Sequence, residues 1–327
     1  MDERAALALL ERELEAVGDD AAVVDDLVIT TDMLHERTDF PPGTTRYTAG
    51  WRAVAASLSD VAAMGADATA TVAAYAAPEF DREELLAFVR GASDVCERVD
   101  AEYVGGDLDG HEEFTVTTTA VGRTDDPVPR SGAQPGNLVC VTGTVGRSAA
   151  AIELFERGDD GRDGDADSRG ESSGDSGRRR PAGDSESSGD TRTALERANE
   201  LFRFEPRVAA GRTLAPHATA MMDSSDGLAR SLHQLAEASD CGFSVESERL
   251  PIADALCDVA DGEELLDLAT TFGEEFELVV TLPEAALETV RTEIDVDLSV
   301  VGSVTPAEDG ITLDGETLAD RGYTHGN

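Results

Sequence analysis

The chain has 327 residues, 40% of them hydrophobic, which is long enough for two ordinary domains and apolar enough for a real core. Its 68 acidic residues against 26 basic ones leave a net charge of -42, which argues against nucleic acid as a partner, because phosphate backbones attract basic surfaces. There is no lysine, and the acid excess fits the solvated shell of a protein from a salt-saturated cytoplasm, where screening shrinks self-repulsion.

In such a chain most Asp residues are surface solvation, and only acids in apolar or Gly-rich company are informative. The four cysteines, Cys96, Cys140, Cys241 and Cys257, form no CxxC pair. Buried free thiols are therefore expected rather than a zinc site. The N-terminus, MDERAALALLERELEAVG, reads as a charged helix and not as a signal peptide. No apolar run approaches a membrane span, so the expected location is the cytosol.

In chain order, residues 3–16 carry Leu7, Leu10 and Leu14 at helical spacing, ended by Gly18. Asp19-Asp20-Ala-Ala-Val-Val and LVITTDM (27–33) predict a hairpin turning near Asp25-Asp26. Residues 35–48 read as loop, with Pro41-Pro42-Gly43 as a breaker. Residues 49–64 predict a long small-residue helix, 68–76 a strand, and 81–99 an amphipathic helix. A brief strand follows at 102–105, and FTVTTTAVG (114–122) alternates like a half-buried strand. The order β-β-α-β-α-β-β predicts a mixed domain, closed by a Pro- and Gly-rich joint at 125–136 that contains Arg130.

The second half opens with a strand at 137–142, then Gly143-Thr-Val-Gly146 and a helix over 148–156. Residues 158–192 are low-complexity Gly, Asp, Ser and Arg, read as an acidic disordered insertion. Helices are expected at 193–202, 206–214, 228–238, 252–259 and 283–294, and strands at 218–222, 242–246, 277–282 and 298–304. Asp223-Ser-Ser-Asp226-Gly227 opens one helix with Ser and Asp at N-cap positions. The division drawn is 1–130 and 131–327.

There is no GxxxxGK[ST], no HExxH and no GxSxG, and the five histidines are isolated. What remains is a carboxylate system suited to hard cations, which take one or two carboxylates plus phosphate oxygens. SLSDVAAMGA (57–66) sets Asp60 among Ala, Val, Leu and Met, where an acid is costly to bury unless a cation holds it. Asp32, after LVITT, reads the same way. Asp19 reads as a turn residue. For Asp20 and Asp107, ligand and turn stand level on spacing. Asp223 and Asp226 share one side of a helical first turn and fit either a ligand pair or a cap pair. Gly105-Gly106 would let backbone approach a phosphate.

Taken in order, GDDAAV, TTDML, SLSDVAAMGA, GGD, PRSGAQPG, VTGTVG, MDSSDGL and FGEEFEL resemble the thiamine-monophosphate kinase family, within a superfamily that includes aminoimidazole ribonucleotide synthetase. The resemblance runs nearly end to end, skipping 158–192. It implies an α+β / α/β two-domain fold. An N-terminal Mg/ATP-binding dimerisation domain would form a dimeric β-barrel interface in a homodimer, and a C-terminal α+β domain would close over the nucleotide. The implied reaction is direct in-line phosphoryl transfer from ATP to thiamine monophosphate with several Mg²⁺ ions, with no nucleophile and no covalent intermediate.

Carried over residue by residue, Asp20, Thr30, Thr31, Asp32, Asp60, Asp107, Asp223 and Asp226 match metal positions. Gly106, Asp107, Arg130 and Ser225 match nucleotide contacts, Glu274 and Tyr323 match substrate contacts, and Asp39 is assigned to substrate by its place in a slot that departs from the family's pattern. The slot of the family's substrate-contacting His here lies in Thr38-Asp39-Phe40, with His35 nearby, and Arg52 stands where Lys is common. The rival readings are another ATP-dependent superfamily member or a non-catalytic nucleotide-binding protein of the same fold.

Overall fold

The computed structural model describes residues 10, 13–14, 18–166 and 187–322, with backbone alone over 159–166 and 187–193. The helix expected over 3–16 therefore falls almost wholly outside the described residues.

The chain begins as a hairpin, β1 (Ala22–Val24) against β2 (Leu27–His35), turning at Asp25 with φ of 56°. One helical turn, α1 (Glu36–Asp39), replaces the loop expected there. Helix α2 (Arg46–Ala63) starts earlier than its apolar run, because the Thr45 side chain caps it by accepting from Thr48 N. Strand β3 (Asp67–Ala77) leads to α3 (Arg82–Arg98), whose Asp81 cap accepts from Glu83 N and Glu84 N. Strand β4 (Glu102–Gly110) runs well past the brief strand expected, and β5 (Thr115–Arg123) completes a sheet ordered β1-β2-β5-β3-β4.

Only β3 and β4 pair in parallel in this sheet. Helices α2 and α3 cover one face, where Val28, Thr30, Val116, Thr118, Ala120, Ala73 and Tyr75 are buried. The opposite face exposes Ile29, Met33, Val72 and Val104.

The second half contains β6 (Leu138–Thr142), α4 (Arg147–Ala166), α5 (Ser187–Phe202), α6 (Val208–Leu214) and β7 (Ala220–Asp223). It continues with α7 (Leu228–Ser239), β8 (Cys241–Val245), α8 (Asp254–Cys257), α9 (Gly262–Thr271) and β9 (Leu278–Leu282). The last elements are α10 (Leu287–Glu293), β10 (Leu298–Pro306), β11 (Ile311–Leu313) and β12 (Glu316–Thr317). Its sheet is ordered β12-β11-β8-β10-β6-β9-β7, antiparallel except between β8 and β11. The fold is thus a two-domain α/β arrangement of two mixed sheets, and among the described residues neither sheet closes on itself.

Several sequence expectations need correction. The helix expected over 252–259 shrinks to α8, because Ile252 bridges to Val145 and Ala253 N donates to Val145 O. Helix α9, β11 and β12 were not anticipated. The segment read as an unstructured insertion is helical at both ends, to Ala166 and from Ser187. Residues 167–186 lie outside the described residues. Helix α7 is not capped by Ser or Asp: its cap position is Gly227, which offers no side chain.

The sheets meet along α2. Ala62 and Ala63 pack with Val128, Leu214, Met221 and Leu278 in a cluster shared by both halves. Among the described residues no helix is long and apolar enough to cross a membrane.

Candidate active site

Helix α2 runs antiparallel to β2, and side-chain bonds fix the register. Thr30 Oγ1 donates to Asp60 Oδ2, and Ser57 Oγ donates to Asp32 Oδ2 at 2.7 Å. Ser57 also bonds Thr118 Oγ1 at 2.8 Å, and Thr118 donates to Ala53 O at 2.9 Å. The period of two along β2 turns Thr30 and Asp32 toward the helix and Thr31 away from it. Thr31 instead donates to Thr118 O at 2.9 Å from the exposed side. Any contact of Thr31 with the cluster in this chain therefore falls to its backbone.

Two further carboxylates close on Asp60. Asp20 arrives from the turn before β1, and Asp223 from the end of β7, where its side chain is fully buried. Asp20, Asp60 and Asp223 each offer an oxygen, and these lie within 4.8 Å of one another. Burial, then the charges of Asp32, Asp223 and Asp20, holds the Asp60 carboxyl well above its ordinary range, while the Thr30 hydroxyl pulls it back. Burial and Asp20 push Asp223 up to about 7, opposed by Ser59 and the Arg130 guanidinium.

Asp223 Oδ2 is buried without a hydrogen bond that satisfies it. Clustered carboxylates with an unsatisfied buried oxygen are costly unless a cation neutralises them. The donor set, all oxygen, is the one that Mg²⁺ takes.

Arg130 supplies the cationic side. It grips Asp20 with two prongs, Nε to Oδ2 at 3.1 Å and Nη2 to Oδ1 at 3.0 Å. Desolvation works against its charge, but Asp20, then Asp223 and Asp60, hold it firmly protonated. Asp19, read from sequence as a turn residue, accepts from Arg130 N at 2.8 Å.

The FGEEFE turn lies beside this cluster. Glu274 N donates to Ser225 O at 2.5 Å, and Ser224 is buried in pairing with Glu277. Ser225 and Asp226 are half-buried and stand at the start of α7. Each acid of the turn has its own partner. Glu274 takes the buried Arg52 at 2.7 Å, and Glu275 accepts Arg147 N at 3.1 Å and Ser148 N at 3.0 Å at the start of α4. Glu277 takes Arg207 at 2.6 and 2.7 Å. Burial pushes Glu275 up to about 7, with Arg147 and the Ser148 N–H pulling it down. Arg52 lies over the Phe202 ring, 3.6 Å from its centroid, and also donates to Phe202 O at 2.7 Å. Asp39 is buried and accepts from His35 N at 2.6 Å and Thr38 Oγ1 at 2.9 Å, locking α1. His35 bonds Thr115 Oγ1 at 3.1 Å.

Asp107 sits elsewhere in this chain. Strands β5 and β3 stand between β2 and β4, so Asp32 and Asp107 are separated by three strand spacings, about 14 Å. Gly105, Gly106 and Asp107 line a cavity of about 380 Å³ with Tyr75, Phe88 and Val89. A Cβ on Gly106 would meet Ala73 O at 1.7 Å, so only glycine lets β4 pass β3 here. Tyr323 lies outside the described residues.

Ser57 and Ser59 carry no role on sequence alone. The signal for Ser57 was its place three residues before Asp60 on one helix face, in SLSD; the role of Asp19 depends on Arg130, far along the chain.

This fold and site define a class. Residues 18–124 match the AIR synthase related protein N-terminal domain, and residues 134–314 its C-terminal domain. Within that class, thiamine-monophosphate kinase of Halobacterium salinarum is 57% identical over 325 residues, covering 99% of this chain and 100% of that one. The enzyme of that name from Methanospirillum hungatei is 35% identical, covering 99% of each chain. Among solved structures, AaThiL complexed with AMPPCP and TMP has a TM-score of 0.81 at 26% identity, covering 99% of this chain and 97% of that one. The HypE–HypF complex shares the fold alone, with a TM-score of 0.67 at 20% identity over 96% of this chain and 99% of that one. The chain belongs to the thiamine-monophosphate kinase family.

Proposed function

We infer that this chain is a thiamine-phosphate kinase, which transfers the terminal phosphoryl group of ATP to thiamine monophosphate and yields ADP and thiamine diphosphate. The observation that carries this reading is full-length identity of 57% to a thiamine-monophosphate kinase. The converging carboxylates at Asp20, Asp60 and Asp223 supply a site for the chemistry.

The acceptor is a phosphate monoester, already anionic near neutral pH, so it needs little help from a base. The difficulty is to bring two polyanions together in line, which positioning and charge neutralisation accomplish. Asp20, Asp60 and Asp223 would hold Mg²⁺, with Asp32 and Thr30 beside them; the unsatisfied Asp223 oxygen supports that fit. Bound Mg²⁺ would neutralise the phosphates and order them for in-line transfer. Asp226 and the Thr31 backbone would complete the proposed metal set, joined by Asp107 only from the second copy across the proposed barrel, since within one chain it stands three strands from Asp32.

The chain's own residues do the rest. Ser57 and Thr30 orient Asp32 and Asp60. Gly106, Asp107, Arg130 and Ser225 would bind the nucleotide. Glu274, Asp39 and Tyr323 would face the thiamine. Arg52 lies eight residues before Asp60 on α2, about 12 Å along the axis, and it holds Glu274 in place.

The division at residues 130 and 131, a cytoplasmic location and a homodimer belong to the same reading. The exposed apolar face of the first sheet, with Ile29, Met33, Val72 and Val104, supports a barrel closed with a second copy. Formation of thiamine diphosphate and ADP from thiamine monophosphate and ATP, followed chromatographically in molar KCl, tests the activity. ATP binding with no thiamine diphosphate formed would contradict it.

A further inference from the structure

We propose that Arg130 is the resident counter-cation of the carboxylate cluster and passes its guanidinium from Asp20 to the nucleotide phosphates when a divalent cation enters. Arg130 and its anchor Asp19 thereby couple metal loading to ATP binding. This rests on the reading of the cluster as a metal site.

Both Asp20 oxygens are engaged by the Arg130 fork, at 3.0 and 3.1 Å. The Asp20 side chain is 1% exposed and that of Arg130 21% exposed, so the pair opens to solvent only from the arginine side. One oxygen of Asp20 also belongs to the cluster with Asp60 and Asp223, all within 4.8 Å. A divalent cation on that oxygen would stand about 4 Å from a guanidinium nitrogen, where two positive charges repel strongly in a partly buried site. One of the two must yield.

The pieces that can move are unequal. The backbone around Arg130 is pinned on three sides. Its N–H donates to Asp19 Oδ1 at 2.8 Å, its carbonyl accepts from Ser239 Oγ at 3.2 Å, and Pro129 O accepts from Met221 N at 3.1 Å. The side chain beyond that pivot is a flexible stem carrying a planar fork. The same fork that fits a carboxylate fits two phosphate oxygens. Cation entry therefore frees the guanidinium at a fixed distance from the cluster, where the triphosphate arrives. Asp19 is a positioning residue: it acts through the Arg130 backbone, where it holds the pivot. By linkage, the factor by which metal tightens nucleotide binding equals the factor by which nucleotide tightens metal binding.

The test reads Mn²⁺ binding to the full chain without nucleotide, by electron paramagnetic resonance in molar KCl. It compares the wild type with Arg130→Met, Arg130→Lys and Asp223→Asn. The exchange predicts that Arg130→Met binds Mn²⁺ about tenfold tighter or more, since the competing charge is gone. Arg130→Lys keeps the charge but loses the fork, and it should bind Mn²⁺ tighter than the wild type by a smaller factor. It also serves if the Met variant fails to fold. Arg130→Lys binding Mn²⁺ as the wild type does, or the wild type binding tightest of all, overturns the exchange while leaving the metal site intact. No Mn²⁺ binding by the wild type or by either Arg130 variant, or binding unchanged in Asp223→Asn, overturns the metal reading and the exchange with it.

Discussion

Asp223 concentrates the site's energetics in one carboxylate. It is fully buried, one oxygen is unsatisfied, and burial with the Asp20 charge raises it from 3.8 to about 7. A raised acid binds its proton more tightly folded than unfolded. The stability it contributes is present below the unfolded value and is lost as pH climbs through the folded one. In chelator, the wild type should therefore lose stability between about pH 4 and pH 7 relative to Asp223→Asn, as read by thermal unfolding at fixed KCl. Saturating Mg²⁺ should remove that difference. The same substitution should lower turnover by roughly two or more powers of ten, as loss of a metal ligand does. The acids of this site were legible in sequence because each stands in apolar or glycine-rich company, as Asp60 does in SLSDVAAMGA. Their helpers were not. The Arg130–Asp20 pair and the Arg130–Asp19 bond span more than a hundred residues, and Arg52 meets Glu274 across the two halves of the chain. No local pattern reports such contacts.

Helix α2 carries Arg52, Ser57, Ser59 and Asp60, so its seating sets the site. It crosses α3 at two glycines. A Cβ on Gly50 would meet Phe88 O at 2.2 Å, and one on Gly91 would meet Tyr47 O at 2.0 Å. Gly91→Ala gains helix propensity yet forces backbone apart, so a net loss of about 1–3 kcal/mol is expected in chemical denaturation. Activity should fall beyond what the remaining folded fraction explains. On the sheet's other face, Met33→Arg would put a charge among the exposed apolar residues. Sedimentation should show a dimer for the wild type and a shift to monomer for this variant, and a wild-type monomer would refute the barrel reading. The order of the first sheet's elements followed from alternation and capping signals, such as Asp81 before α3. The short elements did not. Strand β11 owes its form to pairing with β8, β12 to pairing with β11, and helix α8 to the bridge with Val145, which tertiary context alone supplies.

For the whole molecule, a charge of -42 over 327 residues makes salt part of the fold. Self-repulsion of the acidic shell is screened over about 3 Å in 1 M salt against about 10 Å at 0.1 M. The melting temperature should therefore rise steeply with KCl across that range, and a flat profile would contradict the solvated-shell reading. Within this shell the two halves of the chain meet along α2 and bring Asp20, Asp60 and Asp223 to one point. The central claim is that this point holds a divalent cation for phosphoryl transfer. Its most direct measurement is a crystal structure with Mn²⁺ and a non-hydrolysable ATP analogue, with anomalous data collected at the manganese edge. The account predicts an anomalous peak within about 2.0–2.3 Å of carboxylate oxygens of Asp20, Asp60 and Asp223, bridged to the nucleotide's phosphates. Phosphates bound there with no anomalous peak among those three carboxylates would contradict it.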